Sequence, residues 1–354
     1  MWGLYARAGR AARPDRQSGS DYRPRWLLTL TRSLRFDEFL AAALYGDNGF
    51  YSVAGRAGRR GDFLTSPEVG PLFGAVLARW IEAEFQRLGR PDDFQVIEVG
   101  AGPGTLARAI LLAAPEWSDR YTAVEISAAQ RTSHPDGITS SAELPTGSLC
   151  GVVIANELLD NLPFRLAVYD GGWREAVVTV LADGTAQELL TQPPPEWNWL
   201  PVAAPHGSRL PIQEQASAWV AKVRSQLRQG TVLAFDYFTA RTDDLLDVPW
   251  RDWLRTYRGH QRGDHYLRSP GAQDITAQVC LDQLPEPSVV RTQAQFLQRW
   301  GIDELVAQGR AQWAAAAAAP TLTALRMRSR VSEAESLLDP AGLGDFLAVE
   351  WATV

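Results

Sequence analysis

A chain of 354 residues with net charge −6, 45% hydrophobic and 21% charged, has the make-up of an ordinary globular protein, which sets disorder aside as its main character. Its acids are spread along the length, so no nucleic-acid partner is expected. Lys222 is the only lysine, which argues against Schiff-base chemistry, and Cys150, Cys280 and the four histidines stand unclustered, so no metal site is indicated and the thiols read as reduced.

Residues 1–25 set six arginines against Asp15 and Asp21 among Gly, Ser and Pro, and read as a flexible tail. The same pattern would fit an organelle transit peptide, but arginine replaces lysine throughout the chain, so the plain reading is preferred. No apolar run nears the roughly 20 residues that span a bilayer, so no membrane insertion is expected and the chain is placed in the cytoplasm. Residues 26–92 are expected to form a helical N-terminal region that contributes to the site. Within it, Phe36, Phe39, Leu40, Ala43 and Leu44 share one face of a helix stopping near Gly46. A second helix, Pro71 to Leu88, repeats Phe73, Val76, Leu77, Trp80, Ile81 and Phe85. The polar stretch 61–69 before it offers Ser66-Pro67-Glu68 as a helix cap, with Asp62, Thr65 and Ser66 as candidate ligand contacts.

Residues 93–354 read as one nucleotide-type domain built on Gln-Val-Ile-Glu-Val-Gly-Ala-Gly-Pro-Gly-Thr-Leu, residues 95–106. An apolar strand enters a glycine turn that opens directly into a helix, so Gly100, Gly102 and Gly104 let backbone approach a ligand at the helix N-terminus. A dinucleotide site wants Gly-x-Gly-x-x-Gly, and here Thr105 holds the third glycine's position. Two carboxylates favour S-adenosyl-L-methionine instead. Glu98 precedes the turn and suits a cationic methionine end; Glu125, followed by Ile126, ends the next strand 21 residues past Gly104 (125 − 104), near the offset of about 20 at which an acid meets ribose hydroxyls. A merely structural turn between strand and helix would not need both acids.

Further on, Leu149 to Ala155 is a nearly unbroken apolar run of the kind buried on both faces of a parallel sheet. It delivers Asn156-Glu157-Leu158-Leu159-Asp160-Asn161-Leu162-Pro163 to the sheet's C-terminal edge, where open α/β sheets bind substrates. Residues 164–190 alternate around Asp-Gly turns as an antiparallel insert reaching to about 210. A helix at 212–227 precedes a buried strand ending in Asp236 and Tyr237. The aromatic and cationic stretch 250–260, with Tyr257 and His260, reads as a wall or lid; these four residues are candidate substrate contacts. A strand at 289–292, a helix at 293–306, a helical alanine tract at 314–319 and a terminal strand at 346–351 complete the reading.

Gly-Phe-Tyr-Ser (49–52), Gly-Asp-Phe-Leu-Thr-Ser-Pro-Glu (61–68), Glu-Val-Gly-Ala-Gly-Pro-Gly-Thr-Leu (98–106), Val-Glu-Ile-Ser (124–127), Asn-Glu-Leu-Leu-Asp-Asn-Leu-Pro (156–163), Arg-Thr-Tyr-Arg-Gly-His (255–260) and Pro-Gly-Ala-Gln-Asp-Ile-Thr (270–276) together resemble the MidA-like class I methyltransferases. The family usually has aromatic residues at 158 and 159 and alanine at 161, where this chain has Leu158, Leu159 and Asn161. The resemblance implies a Rossmann-like fold with a seven-stranded, mostly parallel sheet, S-adenosyl-L-methionine as cofactor, and methylation of an arginine on a protein partner such as a respiratory-complex subunit. In that chemistry Glu157 and Asp160, with Asn156, would hold a guanidinium and take its proton; the plainer alternative is that the two acids cap a helix. A small-molecule O- or N-methyltransferase and an assembly chaperone that binds the cofactor are the competing functions.

Overall fold

The computed structural model describes residues 33–52, 65–181, 185–258, 261–316, 318–319 and 321–353. Asp62, His260 and the Arg-rich segment 1–25 lie outside them.

Seven strands make the central sheet: β1 (Phe94–Val99), β2 (Tyr121–Val124), β3 (Thr139–Ser141), β4 (Leu149–Asn156), β5 (Leu227–Asp236), β6 (Val289–Thr292) and β7 (Leu347–Thr353). Their order is β3-β2-β1-β4-β5-β7-β6, parallel throughout except that β7 runs antiparallel to both neighbours. This is the expected mostly parallel sheet. β4 lies between β1 and β5 and is buried from Leu149 through Ala155, which is why its sequence shows no polar alternation.

The helices Pro71–Arg87 and Thr105–Ala113 cover one face of the sheet, and Glu214–Gln226 covers the other through Trp219, Val220 and Val223. Two expectations fail at the C-terminal end. The helix at 293–306 is two helices, Gln293–Arg299 and Ile302–Ala315, because Gly301 takes a φ of 84° between them. The second ends at Ala315, so Ala316, Ala318 and Ala319 of the alanine tract lie outside it; alanine propensity alone does not extend a helix that has nothing left to pack against. A helix the sequence did not disclose, Leu322–Leu338, is anchored by a polar contact, the buried Glu333 carboxylate accepting from the Leu72 amide at 2.8 Å.

The insert forms a separate antiparallel sheet from Arg165–Tyr169, Trp173–Val180, Ala186–Thr191 and Arg209–Ile212, joined by Leu34–Arg35 from the N-terminal region. The helix Phe36–Tyr45 buries Phe36, Phe39 and Leu40 in the insert's core, whereas Pro71–Arg87 buries Phe73, Val76 and Trp80 against the main sheet. The described part of the region 26–92 therefore divides between two cores. Among the described residues no helix is long and apolar enough to cross a membrane.

Candidate functional site

At the C-terminal edge of β1, β2 and β4 lies a cleft with a cavity volume of about 130 Å³. The glycine turn forms its floor. Gly100, Gly102 and Gly104 have φ of 72°, 53° and 79°, which a side chain resists, and a Cβ on Gly102 would come within 3.2 Å of Gln130 Oε1. Glu125 fixes this turn: its Oε2 accepts from the Gly102 amide at 3.0 Å and its Oε1 from the Ser127 amide at 2.8 Å. Burial pushes its pKa up and the two amides pull it back. Beside it, Glu98 accepts from the Tyr121 hydroxyl at 2.7 Å, and burial raises its pKa to about 7. Thr105, heading the next helix, donates its hydroxyl to Glu68 Oε1 at 2.8 Å.

The opposite wall comes from the end of β4. Glu157 is one of three non-glycine residues with positive φ, at 49°, among the described residues; its amide donates to the Phe235 carbonyl at 2.8 Å, so the strand end is held in a turn that puts the carboxylate on the cleft. Asn156 Nδ2 donates to Glu157 Oε1 at 3.2 Å. Burial, then the neighbouring Asp236, raises the Glu157 pKa to about 8. Asn156 Oδ1 and Gln130 Oε1, on two residues that line the cleft, have no protein hydrogen-bond partner and are buried.

Thr65 and Ile126 also line the cleft, but several candidates do not. Ser66 is fully buried with its hydroxyl donated to Gln293 at 2.8 Å, and Thr65 rather than Ser66 precedes the one-turn helix Ser66–Val69, without a side-chain cap. Asp236 belongs to the framework: Oδ2 accepts from the Leu159 and Asp160 amides at 2.8 and 3.3 Å and Oδ1 from the Tyr237 amide at 2.9 Å, so it caps the turn at 159–161. The turn that follows Glu157 is thus capped by Asp236 rather than by Glu157 or Asp160, and Asp236 is not on the described lining. Asp160 lies behind the wall, 3% exposed, with Oδ1 unpartnered; burial, then Asp236, holds its pKa well up. Tyr237 packs on Phe346 at 4.0 Å with the Arg255 guanidinium 5.1 Å from its ring, and Tyr257 sits in a small sheet opposite Asp274 and Arg262. Neither is on the described lining, and Trp253 of the supposed lid is buried in the insert core. Sequence reasoning missed Tyr45, Glu68, Gln130 and the role of Asn161. Tyr51 and Asn161 at least fall in quoted motifs; Tyr45, one residue past a core leucine, gives no local sign.

A family model described as a putative S-adenosyl-L-methionine-dependent methyltransferase matches residues 76–298. The chain belongs to that methyltransferase family. Similar proteins include the mitochondrial protein arginine methyltransferase NDUFAF7 homolog of Drosophila melanogaster, 27% identical over 277 residues, covering 65% of this chain and 61% of that one. Its Danio rerio counterpart is 25% identical over 304 residues, covering 72% and 70%. The match thus spans a little under two thirds of the fly protein's length. A Burkholderia thailandensis crystal structure bound to S-adenosyl-homocysteine aligns at a TM-score of 0.77 and 26% identity, covering 91% of this chain and 88% of that one. The MidA-like resemblance and the Rossmann-like class I fold both hold. The cytoplasmic placement does not: the fly, zebrafish and Xenopus tropicalis relatives are named as mitochondrial proteins.

The raised carboxylates of this methyltransferase set the sign of its pH response. Glu98 and Asp236 titrate near 7 and Glu157 near 8 in the folded chain, against 4.5, 3.8 and 4.5 as ordinary values. The folded state therefore holds protons that the unfolded chain has released, and stability falls as pH rises towards the folded values. His134 and His265, held below their ordinary value by burial, are largely neutral in both states from pH 7 upward. The melting temperature of the cofactor-free protein should drop between pH 7 and 8; a rise over that interval in calorimetry would contradict the buried-acid picture.

Proposed function

We propose that this methyltransferase transfers a methyl group to the guanidinium of an arginine in a protein partner. The observation that carries the reading is Glu157, thrust onto the cleft wall by a left-handed turn, with Asp160 and Asp236 buried behind it and no Lys or Arg on the described lining. Such a wall wants a cation. The cofactor fits the other side: the glycine turn leaves space a Cβ would fill, and Glu98, Glu125, Gln130 and Asn156 supply acceptors for hydroxyls and an ammonium.

When bound, S-adenosyl-L-methionine supplies an electrophilic methyl. Glu157 is placed to accept an N–H of the guanidinium, aligning the nitrogen, and to take the proton that nitrogen sheds on being alkylated. An acid with a pKa near 8 in the empty cleft is drawn into its charged form when a fixed cation arrives beside it. Asn156 orients the carboxylate, and Asp160, whose pKa burial and the neighbouring acids hold well up, stays behind the wall without touching substrate.

The relatives named as arginine methyltransferases support an arginine acceptor, and the resemblance suggests a respiratory-complex subunit as the partner. Mass spectrometry for arginine methyl marks lost on deleting the gene tests this. A set of marks that is unchanged, with methyl incorporated into a small metabolite, would favour a small-molecule enzyme; no incorporation anywhere would favour an assembly chaperone.

The cofactor side makes its own prediction. Glu125→Ala removes the acceptor proposed for the ribose hydroxyls and releases the Gly102 amide. Hydrogen bonds to a charged group are worth about 1.5–3 kcal/mol each, so affinity for the cofactor should fall tenfold or more. Unchanged affinity by calorimetry in a folded variant would take Glu125 out of the site.

A further inference from the structure

The Gly49-Phe50-Tyr51-Ser52 stretch takes no part in the chemistry above, yet its geometry is closely specified. The Phe50 and Tyr51 amides reach back to the Ala43 and Leu44 carbonyls at 3.0 and 2.9 Å. A Cβ on Gly49 would stand 2.6 Å from the Leu44 carbonyl, so only glycine lets the chain double back this tightly. Phe50 is driven into the insert core, which leaves Tyr51 beside Tyr45, ring centroids 5.7 Å apart and planes 19° from parallel. Both tyrosines line the cleft with Glu157. Their hydroxyls are engaged: Tyr45 donates to the Asn161 carbonyl at 3.1 Å and Tyr51 to Asn161 Oδ1 at 3.0 Å, while Asn161 Nδ2 donates to Asp274 Oδ1 at 3.2 Å. Burial, then the charge of Asp274, keeps both phenols neutral.

We propose that Tyr45 and Tyr51, locked in place by Asn161, are an aromatic platform that receives the planar cation of the acceptor beside Glu157. This rests on the guanidinium reading above. With their hydroxyls committed to Asn161, the rings have carbon and π-surface to offer an incoming group, and the face of a neutral phenol attracts cations. A guanidinium can lie flat on such a face while its in-plane N–H groups point at a carboxylate; a compact ammonium cannot satisfy both demands as well. No Lys or Arg on the described lining competes for the rings.

The test uses the full chain saturated with S-adenosyl-homocysteine and ethylguanidinium as probe, with binding followed by saturation-transfer NMR. Wild type and Tyr51→Phe, which keeps the ring, should bind the probe within about threefold of each other. Tyr51→Leu and Tyr45→Leu should weaken it about five- to thirtyfold, the range expected of a partly desolvated cation–π contact. Affinity for S-adenosyl-homocysteine should stay within twofold in all variants that fold, which separates loss of the platform from loss of the cleft. If wild type binds the probe and either leucine variant binds it equally well, the platform is overturned and the guanidinium reading stands. Should wild type fail to bind ethylguanidinium at all, the guanidinium reading falls and takes the platform with it.

Discussion

Glu157→Gln should leave cofactor affinity close to wild type and cut methyl transfer by about 10² to 10⁴, the usual cost of losing a general base. The amide keeps the size of the side chain and one acceptor oxygen, so Asn156 retains its partner and the left-handed turn is unaltered. What is lost is the capacity to become anionic beside a guanidinium. Because Glu157 titrates near 8 in the empty cleft, kcat/KM of the wild type should still be rising through pH 8, and that limb should flatten in the variant. Stability gives an independent check. Glu157 does not cap the turn that follows it, since Asp236 takes those amides, and the Gln side chain keeps an acceptor oxygen for the Ser66 amide that Glu157 meets, so the replacement should not lower the melting temperature as loss of a cap would. Full turnover in a folded Glu157→Gln protein would sink the assignment.

Gly102→Val should be the most damaging change on the cofactor side. A β-branched residue at φ 53° costs of order 1–3 kcal/mol, and its side chain would meet Gln130 Oε1. The turn can relieve this only by leaving the left-handed region, which breaks the hydrogen bond from the Gly102 amide to Glu125. Cofactor affinity should therefore fall by about thirty- to a hundredfold, corresponding to some 2–3 kcal/mol. Gly102→Ala, lacking the branch, should fall between the two. Calorimetric titration of both variants decides the matter; a valine variant with wild-type affinity would mean that the turn does not approach the cofactor.

The elements whose signals lie within a few residues were legible in the sequence. The helix Phe36–Tyr45, the buried strand Leu149–Asn156 and the glycine turn each carry their own periodicity or turn chemistry, so chain order sufficed to propose a parallel sheet with a ligand at its C-terminal edge. The position of Glu125 followed from the length of a strand-helix-strand unit. Where the outcome hung on long-range packing, local signals misled. The alanine tract has the propensity for helix but no core to face, whereas Leu322–Leu338, with a weak apolar stripe, is helical because Glu333 and Leu337 find partners in the main core.

The four acids near β4 and β5 show the division most sharply. Composition marks Glu157, Asp160, Asp236 and Asp274 alike as carboxylates, and residue type cannot say which one meets solvent. That is decided by a left-handed turn at Glu157, by three backbone amides converging on Asp236, and by Asn161 reaching 113 positions along the chain to Asp274. The sequence by itself determined the fold class, the glycine turn and the buried strand whose end lines the cleft, because hydrophobic period and glycine spacing act locally. Only the tertiary structure decided which polar side chains face the cleft and which serve as framework, because a buried carboxylate's role depends on the amides, rings and charges that distant segments bring against it.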